Sequence, residues 1–258
     1  MSDKDGRVYI APSHVIFDLD GTLLDSSEGI VNSFRATLDE LALSATESQL
    51  RGLIGPPLWH SFRTLGVDDD ALDAAVDIYR RYYAEFGVFE AVPYPGVADV
   101  LEEMRDAGLR LGVATAKRVD FAKQMLGEQQ MAQYFDIIAG ADVGLVLTEK
   151  YDIIDQVLRH WEVPGASTRW MVGDRSYDIE AARRHGLTTI GVTWGFGSEK
   201  ELLDAGAHAL VDTARELLGP EWLEGEWDAD VQANCRVCGR VRDAEHDGSL
   251  CPGAEAGS

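Results

Sequence analysis

Cysteine, lysine and long apolar runs are all scarce in this chain of 258 residues. Its three cysteines, Cys235, Cys238 and Cys251, fall within the last 24 residues, which excludes a disulfide framework built around the whole fold. No run of 18 apolar residues occurs, which excludes a transmembrane helix. Positive charge is also thin: 23 Lys plus Arg stand against 45 Asp plus Glu, for a net charge of −22. That balance excludes a generic nucleic-acid binder and a protein that docks on an anionic membrane, since both surfaces demand neutralising cations. Met1 to Arg7 is polar and lacks the apolar stretch of a signal peptide, so a cytoplasmic protein is expected.

What is present is ordinary for a soluble globular protein: 45% hydrophobic and 26% charged residues, enough for one large domain or two smaller ones. His14 to Leu19 (HVIFDL) reads as a strand buried on both faces. Apolar residues then recur with helical spacing at Ile30, Phe34, Leu38 and Leu41, and again at Leu72, Val76, Tyr79, Tyr83 and Phe86. Gly52 to Pro57 (GLIGPP) is a turn between them, so 28–92 reads as a wholly helical insert. After Pro93, strands at 110–116, 136–139, 170–173, 188–192 and 209–211 alternate with helices. That alternation predicts an α/β fold with a central parallel sheet covered on both faces, and functional groups beyond the carboxyl ends of its strands. From Gly219 the alternation stops and the chain becomes acidic and rich in turn residues.

Asp18 and Asp20 stand at the end of the first strand, and in extended chain side chains two apart point the same way. Two carboxylates held together in a partly buried site repel, and a hard divalent cation such as Mg²⁺ relieves the repulsion. A second acidic pair, Asp174 and Asp178 in GDRSYD, follows another buried strand and enters a helix. Acids at helix starts also favour the dipole, but two such clusters at strand ends of one sheet converge on one crevice. Two of the five lysines, Lys117 and Lys150, lie near strand ends, and Thr115 closes the strand LGVAT. A hydroxyl and an ammonium there suit phosphoryl oxygens.

DLDGTLLDS resembles the first signature of the haloacid dehalogenase-like (HAD) phosphohydrolase superfamily; GVATAK resembles the second, Lys150 the third and GDRSYD the fourth, in order. The resemblance covers about residues 14–218. It implies a Rossmann-like three-layer catalytic core (14–27 and 93–218) with a class I helical cap (28–92) inserted after the first strand. It also implies Asp18 as nucleophile, Asp20 as general acid and base, and Thr115 and Lys150 as phosphoryl-binding groups. Asp18, Asp174 and the backbone carbonyl of Asp20 would hold Mg²⁺, with Asp178 at or just behind the ion. Thr22, Lys117 and Arg175 are assigned to the substrate.

Asp20 argues against the dehalogenase branch, which resembles this chain but lacks the second aspartate. The absence of lysine from residue 5 to 116 argues against phosphonate hydrolases, which use a cap lysine. GLIGPP and the segment GDRSYDIEAARRHGLTTIGVTWGFGS look like the phosphoglycolate phosphatase and bacterial 5′-nucleotidase-like branch, with Arg175 leaning to the latter. The expected activity is Mg²⁺-dependent hydrolysis of a small phosphomonoester through an aspartyl-phosphate. A sugar phosphomutase and a non-catalytic sensor or scaffold acting through the tail are the alternatives. Arg51 and Arg63 suit an anionic leaving group or simple surface positions, and Trp59, Phe62 and Tyr94 suit a nucleobase or plain packing.

In the tail, Cys235-Arg-Val-Cys238-Gly239 resembles a zinc knuckle, and His246 and Cys251 would complete a Cys₃His site for structural Zn²⁺. The spacing matches no standard finger, and a redox-active C-x-x-C or incidental cysteines are the other readings.

Overall fold

The structure, a computed structural model, describes residues 12–55, 58–142, 149–162 and 169–219. β1 (His14–Phe17) is followed by β2 (Leu24–Asp25) and four helices, α1 (Ser27–Glu40), α2 (Glu47–Arg51), α3 (Leu58–Thr64) and α4 (Leu72–Glu85). A 3₁₀ turn at Gly87–Phe89 and β3 (Val92–Pro93) return the chain to α5 (Val97–Asp106) and β4 (Arg110–Arg118). Then come α6 (Val119–Glu128), β5 (Ile137–Ala141), α7 (Lys150–Trp161), β6 (Arg169–Gly173) and α8 (Ser176–Arg184). β7 (Thr188–Val192), α9 (Glu199–Asp204), β8 (Ala209–Val211) and a 3₁₀ turn at Ala214–Leu218 end the described chain.

Six strands form one sheet in the order β5-β4-β1-β6-β7-β8, all neighbours parallel. The strands alternate faces with period two. Val15, Phe17, Leu111, Val113, Trp170 and Val172 enter one apolar cluster with α5, α6 and the 214–218 turn. Ile16, Ala114, Ala139 and Met171 enter a second with Ile153, Ile154, Val157 and Trp161 of α7 and Ala181 and Ala182 of α8. Burial on both faces explains why these strands read as continuous apolar runs in the sequence. The result is the expected Rossmann-like α/β layering. β1 sits between β4 and β6, and the strand order reverses direction there, at the switch point where open α/β sheets bind ligands.

The described elements of the insert at 28–92 are helical as far as Val92, where β3 begins. Its neck is a short antiparallel pair in which Leu24 faces Pro93 and Asp25 faces Val92. Strands of two residues are too short to write an alternating pattern, so hydrophobic periodicity cannot reveal them. Their pairing follows from the turn at 19–24, in which Leu19 O accepts from Leu23 N and Leu24 N, each at 3.0 Å. Beyond the neck, α1 and α4 pack through an aromatic cluster: Phe34 lies 5.3 Å from Phe62 and 4.9 Å from Tyr79, ring to ring. The helical stripes legible in the sequence are therefore the inner faces of this bundle, except at Phe86, which follows α4 and is exposed.

The four cysteine and histidine positions of the suspected zinc site, Cys235, Cys238, His246 and Cys251, lie outside the described residues. Among the described residues no helix is long and apolar enough to cross a membrane.

Phe34 is buried between two other rings, so Phe34→Ala leaves a cavity that its neighbours cannot close. The expected destabilisation is about 3–5 kcal/mol, read as a lowered urea midpoint. A shift below about 1 kcal/mol would show that the insert contributes nothing to the cooperative unit.

Candidate active site

The carboxyl end of β1 delivers Asp18. Its backbone N–H donates to Val172 O at 2.9 Å, extending the β1–β6 ladder one residue and fixing where the side chain leaves the sheet. Lys150, the first residue of α7, reaches the same point from the other side. Its Nζ donates to Asp18 Oδ1 at 2.6 Å and to the Ala114 carbonyl of β4 at 2.8 Å, and lies 2.8 Å from Asp178 Oδ1. Burial alone would lower the pKa of Lys150, but Asp178 and Asp18 outweigh it and hold the ammonium above its ordinary value.

Asp174 follows β6 and is fully buried. Its Oδ2 accepts from the Phe196 backbone N–H at 2.8 Å and its Oδ1 from the Thr22 hydroxyl at 3.1 Å. Asp178, in the first turn of α8, accepts from the Arg175 backbone N–H at 3.1 Å. Two glycines make this convergence possible. Gly21 has φ +85°, and a Cβ there would stand 2.2 Å from Asp174 Oδ2; one on Gly195 would stand 2.3 Å from Asp174 Cβ. No side chain fits at either position, so the loops after β1 and β7 can close on the carboxylate only as glycine.

Asp18, Asp174 and Asp178 thus offer oxygen atoms that all lie within 4.8 Å of one another. Three buried acids share one ammonium, and the imbalance shows in their proton affinities. Burial, with repulsion from Asp178 and Asp20 and against the pull of Lys150, pushes Asp18 up to about 7. Burial, with repulsion from Asp178 and Asp18, pushes Asp174 up to about 8. Hard oxygen donors, surplus negative charge and glycine-lined walls fit a small divalent cation such as Mg²⁺.

The remaining sequence-predicted residues fall around this cluster with some differences of task. Asp20 lies on the loop beside it, with Lys117 Nζ 3.1 Å from its Oδ2. Lys117, assigned to substrate from the sequence, is held by Asp20 and by the Tyr83 hydroxyl, which accepts from Nζ at 2.6 Å. Thr115 is buried, and its Oγ1 accepts from the Lys117 backbone N–H at 3.2 Å. Thr22, likewise assigned to substrate, turns its hydroxyl to Asp174. Arg175 donates from Nε to Glu201 Oε1 at 2.9 Å, and its Nη1 lies where a Cβ on Gly55 would be, against the turn of the helical insert. Arg51 and Arg63 are not near the cluster in their contacts: the first pairs with Glu28 and Glu47, the second with Asp69. Phe62 is core of the insert, Tyr94 packs beside Trp194, and Trp59 donates to Asp73 from an exposed position.

Sequence reasoning did not single out Tyr83, Gly195, Phe196 or Glu201. Gly195 and Phe196 sit in WGFGS, whose paired glycines are a readable sign of close backbone approach. Tyr83 carries no such sign, because it reads only as part of an apolar stripe.

A parallel sheet with acids at the ends of two adjacent strands and a buried lysine between them defines a phosphoryl-handling α/β enzyme. The chain belongs to the haloacid dehalogenase-like hydrolase family, whose model matches residues 15–192. It is similar to the 5′-nucleotidase of Pseudomonas aeruginosa, 36% identical over 73% of this chain and 86% of that protein. It is also similar to the tyrosine-protein kinase PtkA of Mycobacterium tuberculosis, 37% identical over 81% of this chain and 73% of that one. Among solved structures, a haloacid dehalogenase-like hydrolase from Streptococcus pneumoniae superposes with TM-score 0.73 at 35% identity, covering 81% of this chain and 97% of that one. The family and these likenesses make it an enzyme of the HAD phosphatase type.

Asp18 and Asp174 retain protons in the fold at pH values where the unfolded chain, with carboxyls near 3.8, has released them. Stability of the metal-free protein therefore falls as pH rises from about 4 to about 8. The expected result is a lower urea midpoint at about pH 8 than at about pH 5, with Mg²⁺ raising the former more than the latter. A metal-free midpoint that climbs across this range would contradict the charge surplus.

Proposed function

We propose that the protein hydrolyses a small soluble phosphomonoester, using Mg²⁺, through an aspartyl-phosphate on Asp18. The observation that carries this reading is the Lys150 ammonium lodged against Asp18 within the cluster of Asp174 and Asp178. Lys150 pulls against protonation of Asp18, aligns it as a nucleophile and offsets the charge of an incoming phosphoryl group. Asp18 attacks phosphorus, the bond to the leaving oxygen breaks, and Asp20 gives that oxygen a proton. Water then attacks the acyl phosphate while Asp20 takes its proton, returning free Asp18 and inorganic phosphate. Thr115, buried on β4, offers the hydroxyl that binds the transferred group. Asp18, Asp174 and the Asp20 carbonyl, with Asp178 beside them, would hold Mg²⁺, which would supply charge neutralisation for the transfer. Residues 28–92 act as a cap on the core of 14–27 and 93–218. Arg175, against Gly55 of that cap, is the cation we assign to the substrate's leaving group.

A nucleoside monophosphate or a phosphoglycolate-type ester is the substrate class, the first by likeness to the Pseudomonas nucleotidase and the second by the motif resemblance. A second reading is favoured by the likeness to PtkA: the same aspartyl chemistry with a tyrosine hydroxyl replacing water as acceptor. A cytoplasmic setting accords with either.

Phosphate release from a panel of phosphoglycolate, 5′-nucleotides and sugar phosphates tests the reading. Activity should vanish with chelator and return with Mg²⁺, and Asp18→Asn should lose more than about 10³-fold in kcat. Full activity in Asp18→Asn would remove the nucleophile assignment. Phosphotyrosine formed in place of free phosphate would establish the kinase reading. A requirement for a bisphosphate activator would point to the mutase, and no turnover to a scaffold.

A further inference from the structure

One residue of the helical insert reaches the reacting centre through hydrogen bonds. Tyr83, near the end of α4, accepts from Lys117 Nζ at 2.6 Å, and the same nitrogen stands 3.1 Å from Asp20 Oδ2. The Lys117 ammonium also lies 4.5 Å from the centre of the Tyr83 ring. That ring is locked in place: it stacks 6.0 Å from Tyr79, meets Phe121 of α6 edge-on at 5.9 Å, and its hydroxyl reaches the sulfur of Met125 at 3.8 Å. Tyr83 is 6% exposed, so this is an interior contact between insert and core.

The two oxygens of Asp20 are consequently unequal. Oδ2 faces an ammonium, which can only donate, so that oxygen is already engaged as an acceptor. Oδ1 is buried and, among the described residues, has no hydrogen-bond partner. A buried carboxylate oxygen without a partner is costly unless something arrives to meet it. The leaving oxygen of a substrate, and afterwards the attacking water, are groups that need that proton.

We infer that Tyr83 is a positioning residue that, through Lys117, fixes Asp20 so that Oδ1 is the oxygen that gives and takes the catalytic proton. The inference rests on the reaction proposed above. In the first half, the Oδ1 proton passes to the leaving oxygen, which also takes the electron pair of the broken P–O bond. In the second, a water proton returns to Oδ1 as its oxygen bonds to phosphorus. Because Tyr83 belongs to the insert, proton transfer is competent only while the insert is seated on the core.

The test compares an ester that needs a proton on its leaving group with one that does not, using the full chain with saturating Mg²⁺. Glycerol phosphate leaves as an alkoxide and depends on the acid; p-nitrophenyl phosphate leaves as a stable phenolate and does not. A positioned general acid is worth about 10²–10⁴-fold, so losing its alignment should cost the alkyl ester at least about tenfold more than the aryl ester in kcat/KM, which reports the transfer to Asp18 and not the later hydrolysis. Tyr83→Phe keeps the ring and its stacking and removes the hydroxyl, with its contacts to Lys117 and to the Met125 sulfur. Lys117→Met, which leaves Tyr83 intact, should show the same bias more strongly and serves if Tyr83→Phe does not fold. Equal losses on both esters in these variants, or no loss, would overturn the positioning role. Wild-type protein without Asp18-dependent release from either ester would overturn the hydrolytic reading, and this inference with it.

Discussion

The Lys150 ammonium, shut in among Asp18, Asp178 and the Ala114 carbonyl, is the contact on which the site depends. Four elements meet at that one nitrogen: the end of β1, the middle of β4, the start of α7 and the first turn of α8. A buried cation with fewer partners would give up its proton or leave the interior, and three buried carboxylates without it would repel. Each party therefore enforces the position of the others. The arrangement still leaves negative charge in surplus, and that surplus of hard oxygen donors fits a divalent ion.

The sheet makes that meeting possible. Parallel strands put all their carboxyl ends on one edge, and β1 lies between the two strands whose ends contribute to the site. Residues separated by more than a hundred positions in the chain, such as Asp18 and Lys150, are brought within a hydrogen bond. The supporting contacts are equally non-local. Thr22 and Phe196 orient Asp174, and Glu201 tethers Arg175 and the Ser176 backbone N–H, each at 2.9 Å. Bonds of this kind hold charged groups in one geometry before any ligand arrives, which is the condition for electrostatic catalysis.

Much of this was legible from residue order. Strands buried on both faces write unbroken apolar runs, as in VIF and WMV, and acids that end such runs have nowhere to go but the sheet edge. Asp18 and Asp174 could be picked out for that reason, Asp178 as an acid one helical turn on, and Lys150 as a scarce lysine opening a helix, and the spatial cluster includes all four. Less legible were features whose cause lies in contact across the chain. The β2–β3 neck is too short for a period to emerge. Lys117 and Thr22 were assigned to substrate by their neighbourhood in sequence, but their partners, Tyr83 and Asp174, are set by tertiary approach. Tyr83 was hidden because an apolar stripe records which face is buried and says nothing about what a hydroxyl at its edge touches.

The neck has a consequence for how such a protein can change. Chain leaves the core at Leu24 and Asp25 and re-enters at Val92 and Pro93, and these four residues are bonded side by side. To the core, more than sixty intervening residues therefore look like the tip of a hairpin, and its own closure is insensitive to what that tip contains. The insert is free to be lengthened, trimmed or replaced in evolution without disturbing strand order or register. Its inheritance is separable from that of the chemistry beneath it, apart from the few side chains, Tyr83 foremost, that cross the seam.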